Sequence, residues 1–417
     1  MRRRGLMIPR TVAILGAGDR GTGFGRLIAQ FPQFAKVVAV AEPRDEYRRA
    51  FAAAHGLADG MVFRNWEEFC ARGQLCDAVV ISTMDRQHAG AAVACLQRGY
   101  DVLLEKPMAP TLPECRAIEQ AQRRTGGILA VCHSLRYNKA FRKVRELLAA
   151  GAVGRIMTLD LLEQVIYWHQ VHSFVRGKWA REDDSSFMLL AKSCHDIDYI
   201  CYLLDRPCLR VSSFGALSWF RRENAPAGST ERCTDPCPLE PNCPYSAVRM
   251  YVDADRDSWP ASVVSLDHSR EAHLRAIREG PYGRCAWKCD NDVVDHQVVA
   301  MQFADDITAT FTMTAFTQQG GRRLRVHGTD GELAFDESSI TVRTFADNDV
   351  QHISIGRETG GHGGGDLRVV RNWLLALHSR DARSILTDAQ ESLRTHTIVF
   401  AAEKSRREGR MVEISEM

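Results

Sequence analysis

What the 417-residue chain has least of is an imbalance of charge: 54 basic residues stand against 52 acidic ones, a formal net charge of +2. That removes the electrostatic case for nucleic acid as a partner. Also missing is any apolar run near the ~18 residues that span a bilayer, so no membrane partner is expected. The basic opening MRRRGLMIPR lacks the apolar segment of a signal peptide and reads as a loose tail. No internal repeat or low-complexity tract appears. There is no even, regularly spaced cysteine framework either. The thirteen cysteines are scattered through apparent helices and strands, which fits a reducing cytoplasm. What remains is the composition of a globular protein, too long for one ordinary core.

The first third alternates short apolar runs with helical segments: TVAILGAG, KVVAVAEP, CDAVVIST and DVLLEKP as strands, with amphipathic stretches between them. That rhythm means βαβ units on a doubly wound parallel sheet, a Rossmann-type α/β domain over residues 1–133. From 134 to 417 the pattern changes to an α+β domain. The strand-like runs RIMTLDLLEQV, LRVSSFGAL, VVDHQVVAMQFA, ITATFTMTAF, RRLRVHGT and ITVRTFA predict an open, mostly antiparallel sheet. Two closing helices, at DLRVVRNWLLALHS and DAQESLRTHTIVFAAEKSRREG, are expected to pack back on the first domain.

Directly after the first strand, Gly16-Ala17-Gly18-Asp19-Arg20-Gly21 fits G-x-G-x-x-G. The first glycine allows a tight turn, the second lets a pyrophosphate reach the backbone, and the third lets helix and strand pack closely. The helix N-terminus supplies free N–H groups for the phosphates. Glu42 ends the second strand, 21 residues after Gly21, where an acid binds ribose hydroxyls. That favours NAD as cofactor. Arg44, which suits a 2′-phosphate, keeps NADP as the lesser alternative.

Three segments together, GAGDRG, ISTMDRQH with Thr83 and His88, and Glu105-Lys106-Pro107, resemble the glucose–fructose oxidoreductase, inositol dehydrogenase and rhizopine-catabolism (Gfo/Idh/MocA) family. The resemblance runs on through Arg136-Tyr137, Trp179-Ala-Arg181, the helix with His195, GRRLRVHGTDGEL and SLRTHTIVFAAEKSRREG, nearly the whole chain. It implies a Rossmann domain, a second domain on an open sheet, and nicotinamide chemistry on sugars or cyclitols. It also implies that Lys106 reaches into the site and that Pro107 follows a cis peptide. Position alone agrees for Lys106, because ligands of open α/β sheets bind at the carboxyl ends of the strands.

FMLLAKSCHDIDYICYLL, residues 187–204, reads as one helix with Leu190, Cys194, Ile197, Cys201 and Leu204 on its apolar face. Lys192, His195, Asp196 and Tyr199 fall on the other face, which either meets water or lines a cleft where protons move, with Asp196 turned partly away. The family's D-x-x-x-H pattern has Ala191 at its aspartate position here. His195 is the expected proton acceptor, with Lys192 and Lys106 polarising the substrate oxygen. The alternative is Lys106 as base, with His195 orienting the substrate.

Weaker candidates for substrate binding are Arg136, Tyr137, Trp179 and Arg181, together with Trp168 and His172 of YWHQVHSF, a segment suited to stacking on sugar faces. HGGGD, residues 362–366, reads as a flexible helix entry with Asp366 as N-cap, in preference to a loop whose glycine-freed N–H groups hold an anionic or hydroxyl-rich group. An insert at about 221–290 carries Cys233, Cys237, Cys243, Cys285 and Cys289. Their spacing lacks the tight C-x2-C of zinc ribbons, so buried or free thiols are favoured over structural zinc, and the metal content is open. The open sheet implies a homodimer or homotetramer. The expected activity is hydride transfer between NAD and a ring carbon of a sugar, glycoside or cyclitol. The alternative is an NAD-dependent glycoside hydrolase that removes and returns the hydride, with an anionic sugar among its substrates.

Overall fold

The computed structural model describes residues 8–356 and 358–417; most of the basic opening, residues 1–7, lies outside them. Strands β1 (Arg10–Leu15), β2 (Ala35–Ala41), β3 (Val62–Phe63), β4 (Ala78–Ile81), β5 (Asp101–Leu104) and β6 (Leu129–Val131) form a parallel sheet in the order β3-β2-β1-β4-β5-β6. Helices α1 (Asp19–Ala29), α2 (Asp45–His55), α3 (Trp66–Ala71), α4 (His88–Gln97) and α5 (Leu112–Thr125) connect them. Ala78, Val79, Val80 and Ile81 are all fully buried, as expected of strands covered on both faces.

Register makes the site. Leu15 pairs with Ile81, Ile81 with Leu104 and Leu104 with Val131. The next residues, Gly16, Ser82, Glu105 and Cys132, therefore end their strands in one row, and Ala17, Thr83, Lys106 and His133 follow in a second. Strand order reverses between β1 and β4, which is where such sheets bind ligands.

After α6 (Lys139–Ala149) the chain enters the second sheet with β7 (Ile156–Ile166). The YWHQVHSF segment, which carries no helical signal in the sequence, winds as α7 (Tyr167–Gln170) into a π-turn over Val171–Val175. The helix expected over 187–204 is two, α8 (Met188–Ala191) and α9 (Cys194–Leu204), broken at Lys192 and Ser193. Next come β8 (Cys208–Ala216), α10 (Arg270–Glu279) within the insert, and β9 (His296–Phe303), β10 (Thr308–Thr317), β11 (Gly321–Gly328), β12 (Gly331–Phe335), β13 (Ser339–Thr344) and β14 (Val350–Ser354). α11 (Gly365–Ser379), α12 (Ala389–Glu408) and β15 (Val412–Glu413) close the chain. The sheet order is β14-β13-β12-β11-β7-β10-β9-β8-β15, antiparallel except where β10 runs parallel to β7. The short elements α3, α10, β12 and β14 are not apparent in the sequence.

α11 does not belong to the second sheet. Its Val369, Val370, Trp373 and Leu374 share one core with Val12, Ile14, Val80 and Leu103 of the parallel sheet. α12 bridges both layers: Val131 N–H donates to the Thr387 carbonyl just before it, while Ile398 and Val399 sit in the core of the second sheet. The expected N-cap Asp366 is displaced by Gly364, whose φ of +77° suits glycine, and Asp366 is freed for the site.

Candidate active site

The phosphate loop has the geometry its glycines predict. Gly16 has φ +90°, and a Cβ there would meet the Ser82 carbonyl at 2.5 Å; at Gly21 a Cβ would meet the Gly16 carbonyl at 1.8 Å. No side chain caps α1, so its first N–H groups point outward. Glu42 ends β2 nearly inaccessible to solvent, accepting from Ala17 N–H at 2.8 Å and from Arg44 Nε at 2.7 Å. Burial raises the Glu42 carboxyl, but the hydrogen bonds from Arg44 outweigh it and keep it anionic. Buried Thr83 Oγ1, on the neighbouring loop, has no protein partner. An anion cradle, a fixed carboxylate and an orphaned hydroxyl along one groove fit a dinucleotide.

Lys106 follows Glu105 at the end of β5, and the Lys106–Pro107 peptide is cis, as the resemblance implies. Its Nζ donates to the Ala191 carbonyl at 2.6 Å, where α8 ends. At the position where a side-chain carboxylate was expected, the main chain of Ala191 thus holds the lysine. His88 does not face the groove. Its ring contacts the Pro107 carbonyl at 2.7 Å and the Thr83 carbonyl at 3.2 Å, so it braces the two loops.

His195 lies beyond Lys106, buried, and neither ring nitrogen has a partner. Burial, reinforced by His362 and Lys106, pushes its pKa well below the ordinary value, so the ring is neutral at pH 7 and keeps a lone pair. His362 stands at 5.1 Å between ring centroids and His133 at 5.5 Å. His362 Nδ1 lies 2.9 Å from Asp366, and Arg20 of the phosphate loop binds both Asp366 and Glu105 at 2.6 Å. Asp366 is buried, yet His362 and Arg20 hold it well below the usual carboxylate range. Arg20, read from the sequence as a cofactor residue, therefore ties the phosphate loop to the His362 segment.

Lys192 is matched by Glu163 at 3.0 Å, and Glu163 and Asp196 share Arg322 at 3.2 and 2.6 Å. Lys192 is thus paired with a carboxylate, whereas the Lys106 ammonium meets a neutral carbonyl. Tyr199 does not face a cleft but donates to the Phe141 carbonyl inside the core. Glu163 and Arg322 were missed. The signal was present: both lie on the inward face of their strands, Glu163 in register with Leu159, Leu161 and Val165.

The substrate candidates separate. Arg136 pairs with Asp198 at 2.7 Å and Glu391 at 2.8 Å, and the Tyr137 hydroxyl accepts from Leu386 N–H, so both brace α9 and the lead-in to α12 rather than line the cleft. Trp168 packs on Trp259, and His172 stacks on Tyr282 at 5.0 Å. Between them His169 packs on Trp259 at 4.8 Å, and burial, reinforced by Lys192, lowers its pKa well below the ordinary value. Trp179 Nε1 donates to Asp85 at 3.4 Å, and Arg181 faces Asp184 and the Asp290 carbonyl.

The sequence model of an oxidoreductase family, described by its NAD-binding Rossmann fold, matches residues 10–133, and the same family's C-terminal alpha/beta domain matches residues 145–414. A putative oxidoreductase, YteT, from Bacillus subtilis is 23% identical over 75% of this chain and 76% of its own. An inositol 2-dehydrogenase from Streptomyces avermitilis is 32% identical over 48% of this chain, and the match spans 55% of that relative's length. Among solved structures, levoglucosan dehydrogenase in complex with NADH and L-sorbose superposes with a TM-score of 0.72 at 17% identity, covering 98% of this chain and 99% of that one. An oxidoreductase from Agrobacterium radiobacter in complex with NAD+, L-tartaric acid and magnesium gives 0.72 at 14% identity, with 98% and 100% covered. At these identities the structural likeness establishes the fold.

Proposed function

The chain belongs to the Gfo/Idh/MocA oxidoreductase family, and from that premise we propose that it transfers a hydride between NAD and a ring carbinol of a sugar or cyclitol. The observation that carries the reading is the meeting of Lys106 Nζ with α8 beside a buried, neutral, unpartnered His195, at the carboxyl edge of the parallel sheet.

Gly16, Gly18, Gly21 and the start of α1 would hold the pyrophosphate, Glu42 a ribose, and Thr83 the groove towards Lys106. Bound nicotinamide would supply the hydride acceptor. The chain's own work is with the proton. Lys106 donates from its fixed ammonium to the substrate oxygen, lowering the cost of negative charge there. His195 accepts the hydroxyl proton on a ring nitrogen. Burial and the adjacent Lys106 oppose the imidazolium, so the proton's residence on His195 is brief. Glu42 supports NAD over NADP, since a buried anion repels a 2′-phosphate.

Two coarser proposals accompany this one. Phe214 and Val298 are cross-strand neighbours on β8 and β9, 68% and 37% exposed, which supports self-association through the outer face of the second sheet. All thirteen cysteines are free and most are buried, which supports a reducing compartment. Among the described residues no helix is long and apolar enough to cross a membrane.

The test is kinetic. Lys106→Met and His195→Ala should each lose about 10²- to 10⁴-fold in kcat while binding NAD with unchanged affinity. Full turnover in either variant removes that residue from the chemistry.

A further inference from the structure

Arg176, at the end of the π-turn after α7, is 1% exposed, and among the described residues no carboxylate lies in ion-pair range of it. Its Nε donates to the Arg284 carbonyl at 2.7 Å and its Nη2 to the Tyr245 carbonyl at 2.8 Å and towards Cys233 Sγ at 3.5 Å, while its Nη1 makes no hydrogen bond of ordinary geometry and has only the neutral Tyr251 hydroxyl nearby. A second guanidinium, Arg232, lies alongside, half-buried, with its Nε unpartnered. Burying a cation with no counter-charge is among the costliest arrangements in a protein. Something anionic must face these groups.

What faces them is sulfur. Arg176 and Arg232 line a cavity of about 20 Å³ together with Cys233, Cys237, Cys243 and Cys285, room for a single small occupant. The fifth cysteine of the insert, Cys289, is not part of the wall; its thiol donates to the Cys285 carbonyl at 3.3 Å. The backbone holds the four in place. Arg232 bridges to Arg284, and Cys233 N–H donates to the Gly283 carbonyl while Cys285 N–H donates to the Glu231 carbonyl. Those two cysteines therefore sit on paired extended segments. Cys237 and Cys243 sit at tight turns, each followed by proline.

We propose that Cys233, Cys237, Cys243 and Cys285 bind one zinc ion as a tetrathiolate, whose negative charge is the missing partner of Arg176. Four sulfurs match the coordination number of a closed structural site, and thiolates select a soft or borderline ion. Each thiol loses its proton to solvent, four in all. The divalent ion with four thiolates then carries a net double negative charge towards the two guanidinium groups. Among the described residues no three such side chains already stand at ligand spacing. The four cysteines line one cavity, and binding requires their sulfurs to close to about 2.3 Å of the ion, the ordinary zinc–thiolate distance. The loose C-x3-C-x5-C spacing is bridged by the two proline turns, with Cys285 brought in from 42 residues beyond Cys243. The consequence is architectural. The insert carries Tyr251 and Tyr282 against His172, so the ion would fix the wall behind the aromatic layer of the active site.

The experiment is elemental analysis and native mass spectrometry of the full-length, untagged protein after exhaustive dialysis. One zinc per chain is expected, retained through dialysis and released in step with oxidation of the thiols. Cys237→Ser and Cys243→Ser should lose it, and Cys289→Ser should keep it. Cobalt loading should give the thiolate-to-metal charge-transfer bands of tetrahedral coordination in the wild type and in Cys289→Ser, independently of any turnover assay. A folded, reduced wild type that holds no stoichiometric metal and takes up none from a zinc buffer overturns the proposal. So does retention in Cys237→Ser with loss in Cys289→Ser. Stoichiometric iron in place of zinc overturns the choice of ion.

Discussion

At the scale of single residues, chemistry and legibility separate. Lys106 was readable because its position follows from strand register and from Glu105-Lys106-Pro107. His195 stood out as an imidazole on the polar face of a helix with a long apolar stripe. Its electrostatics were not readable, since the groups that depress its pKa, His362 and Lys106, come from distant parts of the chain. Two consequences can be measured. First, the acidic limb of kcat/KM against pH should lie below about 6.5, the ordinary histidine value, because the folded-state pKa is lowered and the base stays neutral down to that point. A limb at pH 7 or above contradicts His195 as the base. Second, Glu42→Ala should cut kcat/KM for NAD by about 10- to 100-fold and move the NAD/NADP ratio towards NADP, the loss of one charge-assisted hydrogen-bond partner. An unchanged ratio of the two kcat/KM values removes Glu42 from cofactor selection.

At the scale of elements, the parallel sheet was legible from its uninterrupted apolar strands and the glycine turn. The helix over 187–204 was only half legible. Its apolar period continues through Lys192 and Ser193, and periodicity alone cannot report a break imposed by Lys192 reaching Glu163 and Lys106 binding the Ala191 carbonyl. α11 packs back on the parallel sheet, as expected of the closing helices. Trp373, fully buried between α11 and the parallel sheet, makes this testable. Trp373→Ala should cost about 3–5 kcal/mol in denaturant unfolding. A change below 1 kcal/mol would mean that α11 is not part of that core.

At the scale of the whole molecule, the fold concentrates neutral imidazoles at one junction. His133, His195 and His396 form a buried row between the two sheets, with ring centroids 5.3 and 5.5 Å apart. Burial lowers His172 and His396 to about 3. Groups whose folded pKa is depressed in this way hold fewer protons folded than unfolded once pH drops below about 6.5, so stability is lost as pH falls from there towards 3. Each contributes about 1.2 kcal/mol over that unit, so these two alone remove about 2.4 kcal/mol between pH 6 and 5. Unfolding free energies measured at both values check this, and equal values contradict it. Assembly belongs to this scale too. Sedimentation should find a dimer or tetramer that Val298→Glu dissociates; a wild-type monomer removes the outer sheet face as an interface.

Dinucleotide-dependent oxidation at Lys106 and His195 is the central proposal. Absorbance of NADH with purified enzyme, NAD and a panel of free sugars, glycosides, sugar acids and cyclitols, with product analysis of every reaction, tests it most directly. The account predicts accumulating NADH with an equal amount of a ring ketone in the wild type, and neither in Lys106→Met. Glycoside cleavage that needs NAD yet accumulates no NADH would contradict it, because the hydride would then return to the sugar.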